Sequence, residues 1–194
     1  MKNENSNQIL KQFLLEEYFP NSKNNFPNNN SGQQKIISEI EGKILHESAE
    51  EYRSEIIKLL SEKNEEEVFL RGSIFKREIP KVYNGKCCIS GMRIDATISL
   101  SMIDACHIIP FSESYNDTIT NGIALCPNLH RAFDRGLISI DDDFRVIVSK
   151  SFKEDSSSYS IRKFENQNIF LPSHKQFHPL KENLYWHRKN IFKV

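Results

Sequence analysis

The chain has 194 residues, 38% of them hydrophobic and 27% charged, and its 26 basic and 26 acidic side chains leave no formal net charge. That length has room for one domain of ordinary size plus an appendage, and the balanced charge argues against a protein that coats nucleic acid by bulk electrostatics. No apolar run approaches the roughly 20 residues needed to span a bilayer, and the opening MKNENSNQ lacks the basic-then-apolar order of a signal peptide.

A cytoplasmic protein without membrane contact is therefore expected. The four cysteines, two of them adjacent at Cys87 and Cys88, do not read as a disulfide framework and are expected to be reduced thiols. Charge is unevenly spread. Residues 39–67 hold four basic against ten acidic residues, a net of −6, and residues 68–83 hold four against one, a net of +3. Residues 84–149 hold five against eight, a net of −3, and residues 150–194 hold nine against four, a net of +5. An acidic centre suits a cation, so phosphate contacts are expected from the basic flanks.

In chain order, residues 7–19 place apolar side chains at helical spacing up to Pro20. The Asn-rich stretch that follows, with Pro27 and Gly32, has almost nothing to bury and reads as a linker. From Gln33 to about Asn64 the pattern is helical again, with Ile36, Ile40, Ile44, Ala49, Tyr52, Ile56 and Leu59 or Leu60 recurring at three- to four-residue steps. One helix of about 30 residues would be roughly 45 Å long, with Gly42 as its weak point. It is expected either to pack on the following domain or to pair with a second copy or a partner protein.

In RGSIFKREIPKVY at 71–83, Phe75, Ile79, Val82 and Tyr83 can form a core face, and Pro80 argues for a kink or a helix start. Arg71, Lys76, Arg77 and Lys81 are then expected near the solvent side, as a phosphate-binding stripe or as an ordinary solvated face.

The stretch from Asp104 to Gly136 concentrates the chemistry. It holds a His-Ile-Ile-Pro strand end, a polar loop, an Asn-Gly turn, and a short helix opened by Pro127 and closed by Gly136. On that helix His130 and Asp134 stand four residues apart, on one face and close enough to share a cation. Leu129 and Phe133 also stand four apart, rotated by one residue, and can dock the helix. Residues 137–149 read as a β-hairpin around an Asp-rich turn. The segment IRKFENQNIFLP is expected to hold a short strand, and the end fits a terminal helix with Leu180, Leu184, Tyr185, Ile191 and Phe192 inward. His174, His178 and His187 lack metal-ligand spacing and are expected on the surface or in packing.

CCISG at 87–91, ACHIIP at 105–110, NGIAL at 121–125 and HRAFDRGLISID at 130–141, with the order His107, Asn121, His130, together resemble the HNH nucleases. The nearest likeness is to the subgroup often appended to restriction enzymes and other bacterial defence nucleases, and it covers roughly residues 71–149. The resemblance implies an α+β fold with a ββα-metal core, an N-terminal helical segment and a C-terminal helix. The expected organisation is residues 1–32 as helix and linker, 33–70 as a helical segment, and 71–194 as the nuclease domain with its motif core at 84–149.

It further implies a metal-dependent DNA endonuclease of restriction or antiviral defence. His107 would be the general base, Asn121 the residue that orients it, and His130 a metal ligand. Asp134 is a chemically sound second ligand, and Arg131, Arg135, Arg71, Lys76 and Arg77 are candidates for contact with nucleic acid. One divalent ion is expected, Mg²⁺ first, with Mn²⁺, Ni²⁺ or Zn²⁺ as alternatives. Retention of His107, Asn121 and His130 together argues against the competing reading, a silent binding module on the same fold. An RNA-directed nuclease stays open, because no base-reading module is visible.

Two positions depart from the family pattern. Many of its members hold a structural zinc with two Cys-x-x-Cys pairs, but here Ser90 and Leu129 stand where the second and fourth thiolates would be. No structural zinc is expected, and Cys87 and Cys126 are expected as buried small apolar groups. A rearranged site of Cys87, Cys106, Cys126 and His130 is the alternative. The residue before His107, commonly a His or Asp metal ligand, is Cys106. Either it faces the core, the preferred reading, or the site takes a softer metal.

Overall fold

A computed structural model describes residues 31–94 and 101–194, so the helix and linker expected before residue 31 lie outside the described residues. The chain forms two compact units. Among the described residues, one comprises 31–75 together with Tyr115–Thr118, and the other 76–94, 101–114 and 119–194. No helix among the described residues is long and apolar enough to cross a membrane.

In the first unit the long helix expected from the apolar period is two, α1 (Ser31–His46) and α2 (Ala49–Ser61). Gly42 sits inside α1; the break comes later, at Ser48. Ser48 accepts from the Glu51 amide while the Glu51 carboxylate accepts from the Ser48 amide, a reciprocal capping box that starts the second helix. Helix α3 (Glu65–Val82) opens on three glutamates, the sign that suits a helix N-terminus. It runs through Pro80 to Val82, so Pro80 neither starts nor ends it. Ile40, Ile44, Tyr52, Ile56, Ile74 and Phe75 are buried in this unit.

Arg71 corrects a sequence expectation. It is 1% exposed, ion-paired at 2.9 Å to both Glu55 and Glu67, and its guanidinium lies 5.3 Å from the centre of the Tyr52 ring. A buried arginine must have its charge matched by carboxylates, and these two supply the countercharge. Arg71 belongs to the helical core and offers nothing to a phosphate.

In the second unit, β1 (Asp104–His107) pairs antiparallel with β2 (Gly122–Leu125), Cys106 opposite Ile123 and His107 opposite Gly122. Between them lie the one-turn helix α4 (Phe111–Ser114) and a 3₁₀ turn at Ile119–Asn121. Every residue of β2 is buried, as a strand covered on both faces requires. The chain then enters α5 (Pro127–Asp134) through Pro127, whose missing amide costs nothing in a first turn. Leu129, Ala132 and Phe133 are its buried face.

Gly136 ends this helix at φ +70°, and a Cβ there would sit 2.0 Å from the Ile191 carbonyl oxygen. Gly136→Ala combines a disfavoured backbone with a backbone clash, so it should cost about 3 kcal/mol or more. An unchanged urea midpoint would show that the close approach carries no weight.

The hairpin is as read from the sequence. β3 (Ile138–Ile140) pairs with β4 (Val146–Val148), and Asp141 closes the turn by accepting from the amides of Asp143 and Arg145. A bridge from Arg145 to Asn168 is what the expected third strand amounts to. The last helix, α6 (Lys181–Asn190), turns a different face inward than its apolar residues suggest. Asn183, Leu184 and His187 are buried, while Leu180 and Tyr185 are exposed.

His187 explains the choice. It stacks on Phe133 with ring centres 3.7 Å apart, donates from Nε2 to the Phe133 carbonyl at 3.1 Å, and accepts at Nδ1 from Ser139 Oγ at 2.8 Å. Burial lowers its pKa from 6.5 to about 4, helped by nearby Arg188 and opposed by the Phe133 carbonyl. The sign follows from proton counts. Below about pH 6.5 the unfolded chain takes up a proton that the folded one refuses until about pH 4, so stability is lost as pH falls through that window. Between pH 7 and pH 5 the loss should be about 2 kcal/mol. Urea midpoints should show it in the native protein and not in His187→Gln; an equal slope in both would rule it out.

Candidate active site

β1 delivers Asp104, Cys106 and His107, and α5 delivers His130 and Asp134. The helical spacing sets His130 Nε2 3.4 Å from Asp134 Oδ2. The packing of α5 on β1 sets His130 Nδ1 3.2 Å from Asp104 Oδ2. With Nδ1–H given to Asp104, a lone pair on Nε2 and a carboxylate oxygen of Asp134 face the same point, an arrangement that a cation between them satisfies.

Cys106 is fully buried, yet its sulfur does not end among apolar groups. It lies 3.7 Å from Asp134 Oδ1 and 3.5 Å from the His107 carbonyl oxygen. Burial pushes the thiol well above its ordinary range, and Asp134 adds to the shift. One ligand atom each from Cys106, His130 and Asp134 falls within 4.8 Å of the others, and among the described residues this is the one such group of three. The expectation of a Cys106 turned to the core holds for its exposure and fails for its neighbours.

His107 leaves the end of β1 into a cleft of about 340 Å³ that it lines with Ile108, Pro110, Phe111, His130, Asp134, His187 and Ile191. Asn121 is buried and grips the backbone just past His107. Its Oδ1 accepts from the Ile109 amide and its Nδ2 donates to the Ile109 carbonyl, both at 3.0 Å. The Asn121 carbonyl also accepts from the Ile108 amide at 2.8 Å.

Of the expected nucleic-acid contacts, Arg131, Arg135 and Lys76 are exposed, and Arg77 is half-buried and 2.8 Å from Glu78. Cys87 and Cys126, expected as apolar groups, form a polar pair. A hydrogen bond from Cys126 holds the Cys87 thiol down to about 5, against the opposing effect of burial, and the Ser90 amide donates to the same sulfur at 3.4 Å. The Cys126 thiol is correspondingly pushed up.

Residues 87–141 match the family model described as HNH endonuclease. This segment is therefore similar to HNH endonuclease domains. Among solved structures, one titled "Modification dependent TagI restriction endonuclease" aligns with 60% of this chain and 37% of that one, at 21% identity and a TM-score of 0.43. The chain thus spans little more than a third of that enzyme. No curated protein matches the chain.

HNH nucleases generally use a divalent metal, and the donor set found here fits one. Imidazole, carboxylate and thiol converge from two elements, and Asp104 occupies the outer position that fixes a ligating imidazole. Sequence reasoning gave Asp104 no role in the HNH site. The available signal was alternation, since Asp104 and Cys106 are two apart on a strand and so share a face.

Proposed function

We propose that the protein is a metal-dependent endonuclease that hydrolyses DNA phosphodiester bonds, in restriction or antiviral defence. The observation that carries this reading is the convergence of His107, His130 and Asp134 on one cleft. His107, on the wall of the cleft, takes a proton from the attacking water as general base. Asn121 is a positioning residue, fixing through Ile109 the peptide from which that imidazole projects. His130 and Asp134 would hold a divalent ion, which would supply Lewis-acid charge for phosphodiester hydrolysis.

Asp104 keeps the His130 ring turned so that Nε2 faces the cleft. Arg131 on α5 and Arg135 at its end, with Lys76 and Arg77 on α3, meet flanking phosphates. The nuclease domain is assigned to residues 71–194 and the protein to the cytoplasm, with the helices before residue 71 as the place for a second copy or a partner protein.

The test is cleavage of supercoiled plasmid and of RNA by the purified protein, in Mg²⁺, Mn²⁺, Ni²⁺ or EDTA, beside His107→Ala. Cutting of plasmid that needs both metal and His107 is expected. Cutting that survives EDTA or the alanine variant removes this mechanism, and cutting confined to RNA removes DNA as the substrate.

A further inference from the structure

Mg²⁺ is what a histidine and an aspartate, taken alone, would leave room for. The third member of the group is sulfur. Cys106 has its Sγ 3.7 Å from the Asp134 carboxylate, and that atom lies within 4.8 Å of the donor atoms of both His130 and Asp134. Core filling alone would be served by an apolar atom at this place. Instead a soft donor is aimed at a carboxylate and sits within ligand range of an imidazole, from a strand whose backbone is fixed by pairing with β2.

We propose that Cys106 is a third protein ligand of the site, and that its sulfur makes the site select a thiophilic ion of the zinc, cobalt or nickel class over Mg²⁺. The proposal rests on the nuclease reading for the purpose of the ion. Three protein donors of S, N and O type leave a fourth, open position in a tetrahedral shell, the arrangement of catalytic rather than structural sites. Thiolate has little affinity for Mg²⁺ and much for the later divalent metals, so the sulfur decides among ions that the other two donors accept alike. Asp104, holding His130 Nδ1 at 3.2 Å, serves either metal equally and does not discriminate.

Co²⁺ added to the full-length protein provides a readout independent of cleavage, because sulfur ligation gives a thiolate-to-cobalt charge-transfer band that oxygen and nitrogen donors do not. The band is expected in the native protein, resistant to a large excess of Mg²⁺, and absent from Cys106→Ser. Zn²⁺ affinity measured by calorimetry should fall at least about 100-fold in the same variant. Cys126→Ser removes the other thiol pair and should keep the band, which assigns the sulfur. Circular dichroism checks that each variant is folded, and Cys106→Ala supplies a second test should serine not be tolerated in the buried position.

A band missing from the native protein, or persisting in both Cys106 variants, overturns the proposal. Plasmid cleavage separates this failure from that of the nuclease reading. Mg²⁺-supported, His107-dependent cutting by a native protein that shows no cobalt band would leave the nuclease standing and remove Cys106 as a ligand. A Cys106-dependent band in a protein that cuts nothing would do the reverse.

Discussion

His107→Ala should lower the rate of plasmid cleavage by about 1,000-fold while leaving the metal affinity of the site within a factor of about two. The two parts of this expectation come from the geometry. His107 lines the cleft beside His130 and Asp134 but is not one of the three residues whose donor atoms converge. On the proposed mechanism, losing its imidazole removes the proton acceptor and spares the residues proposed to hold the cation. A positioned base is worth about 10²–10⁴ in rate, and the middle of that range corresponds to about 4 kcal/mol of transition-state stabilisation. Single-turnover cleavage and calorimetric metal titration read the two quantities separately. A variant that cuts normally would remove His107 from the chemistry, and one that loses metal binding would place it among the ligands.

The second large effect is expected at His130. His130→Ala takes away the donor held between Asp104 at 3.2 Å and Asp134 at 3.4 Å, leaving two carboxylates that no longer share a partner. Cleavage should fall by about 1,000-fold, because the Lewis-acid contribution is worth several kcal/mol, and here the metal affinity should fall with it. Asp104→Asn is the graded version. The amide keeps the shape but loses the charge that draws the His130 Nδ1–H, and the metal affinity should drop about 30-fold with a smaller loss of rate at saturating metal. Equal affinity in Asp104→Asn and the native protein would mean that the contact between the strand and the helix plays no part in metal binding. The pattern of rate loss without affinity loss at His107, and of both at His130, distinguishes a base from a ligand.

The failures of sequence reading were of two kinds. At Ser48 the signal was local and present: Ser-x-x-Glu at 48–51 is a helix start, but an apolar period that carries on in phase across the joint hides it. At Arg71 and in α6 the deciding partners are remote. Glu55 is 16 positions from Arg71, and Ser139 is 48 from His187. Nothing in the helical period says that a charged or polar side chain will be turned inward in place of Leu180 or Tyr185.

The sequence by itself determined the order of His107, Asn121 and His130, the helix opened by Pro127 and closed by Gly136, the pairing of His130 with Asp134 on one face, and the hairpin that follows. The local elements depend on steps of two to four residues, where backbone geometry converts spacing directly into distance. Only the tertiary structure decided that Asp104 holds His130, that the Cys106 sulfur turns to Asp134, and that Asn121 grips Ile109. Those contacts join positions 12 to 28 residues apart, and their distances are set by how α5 and β2 pack on β1, which no local period encodes.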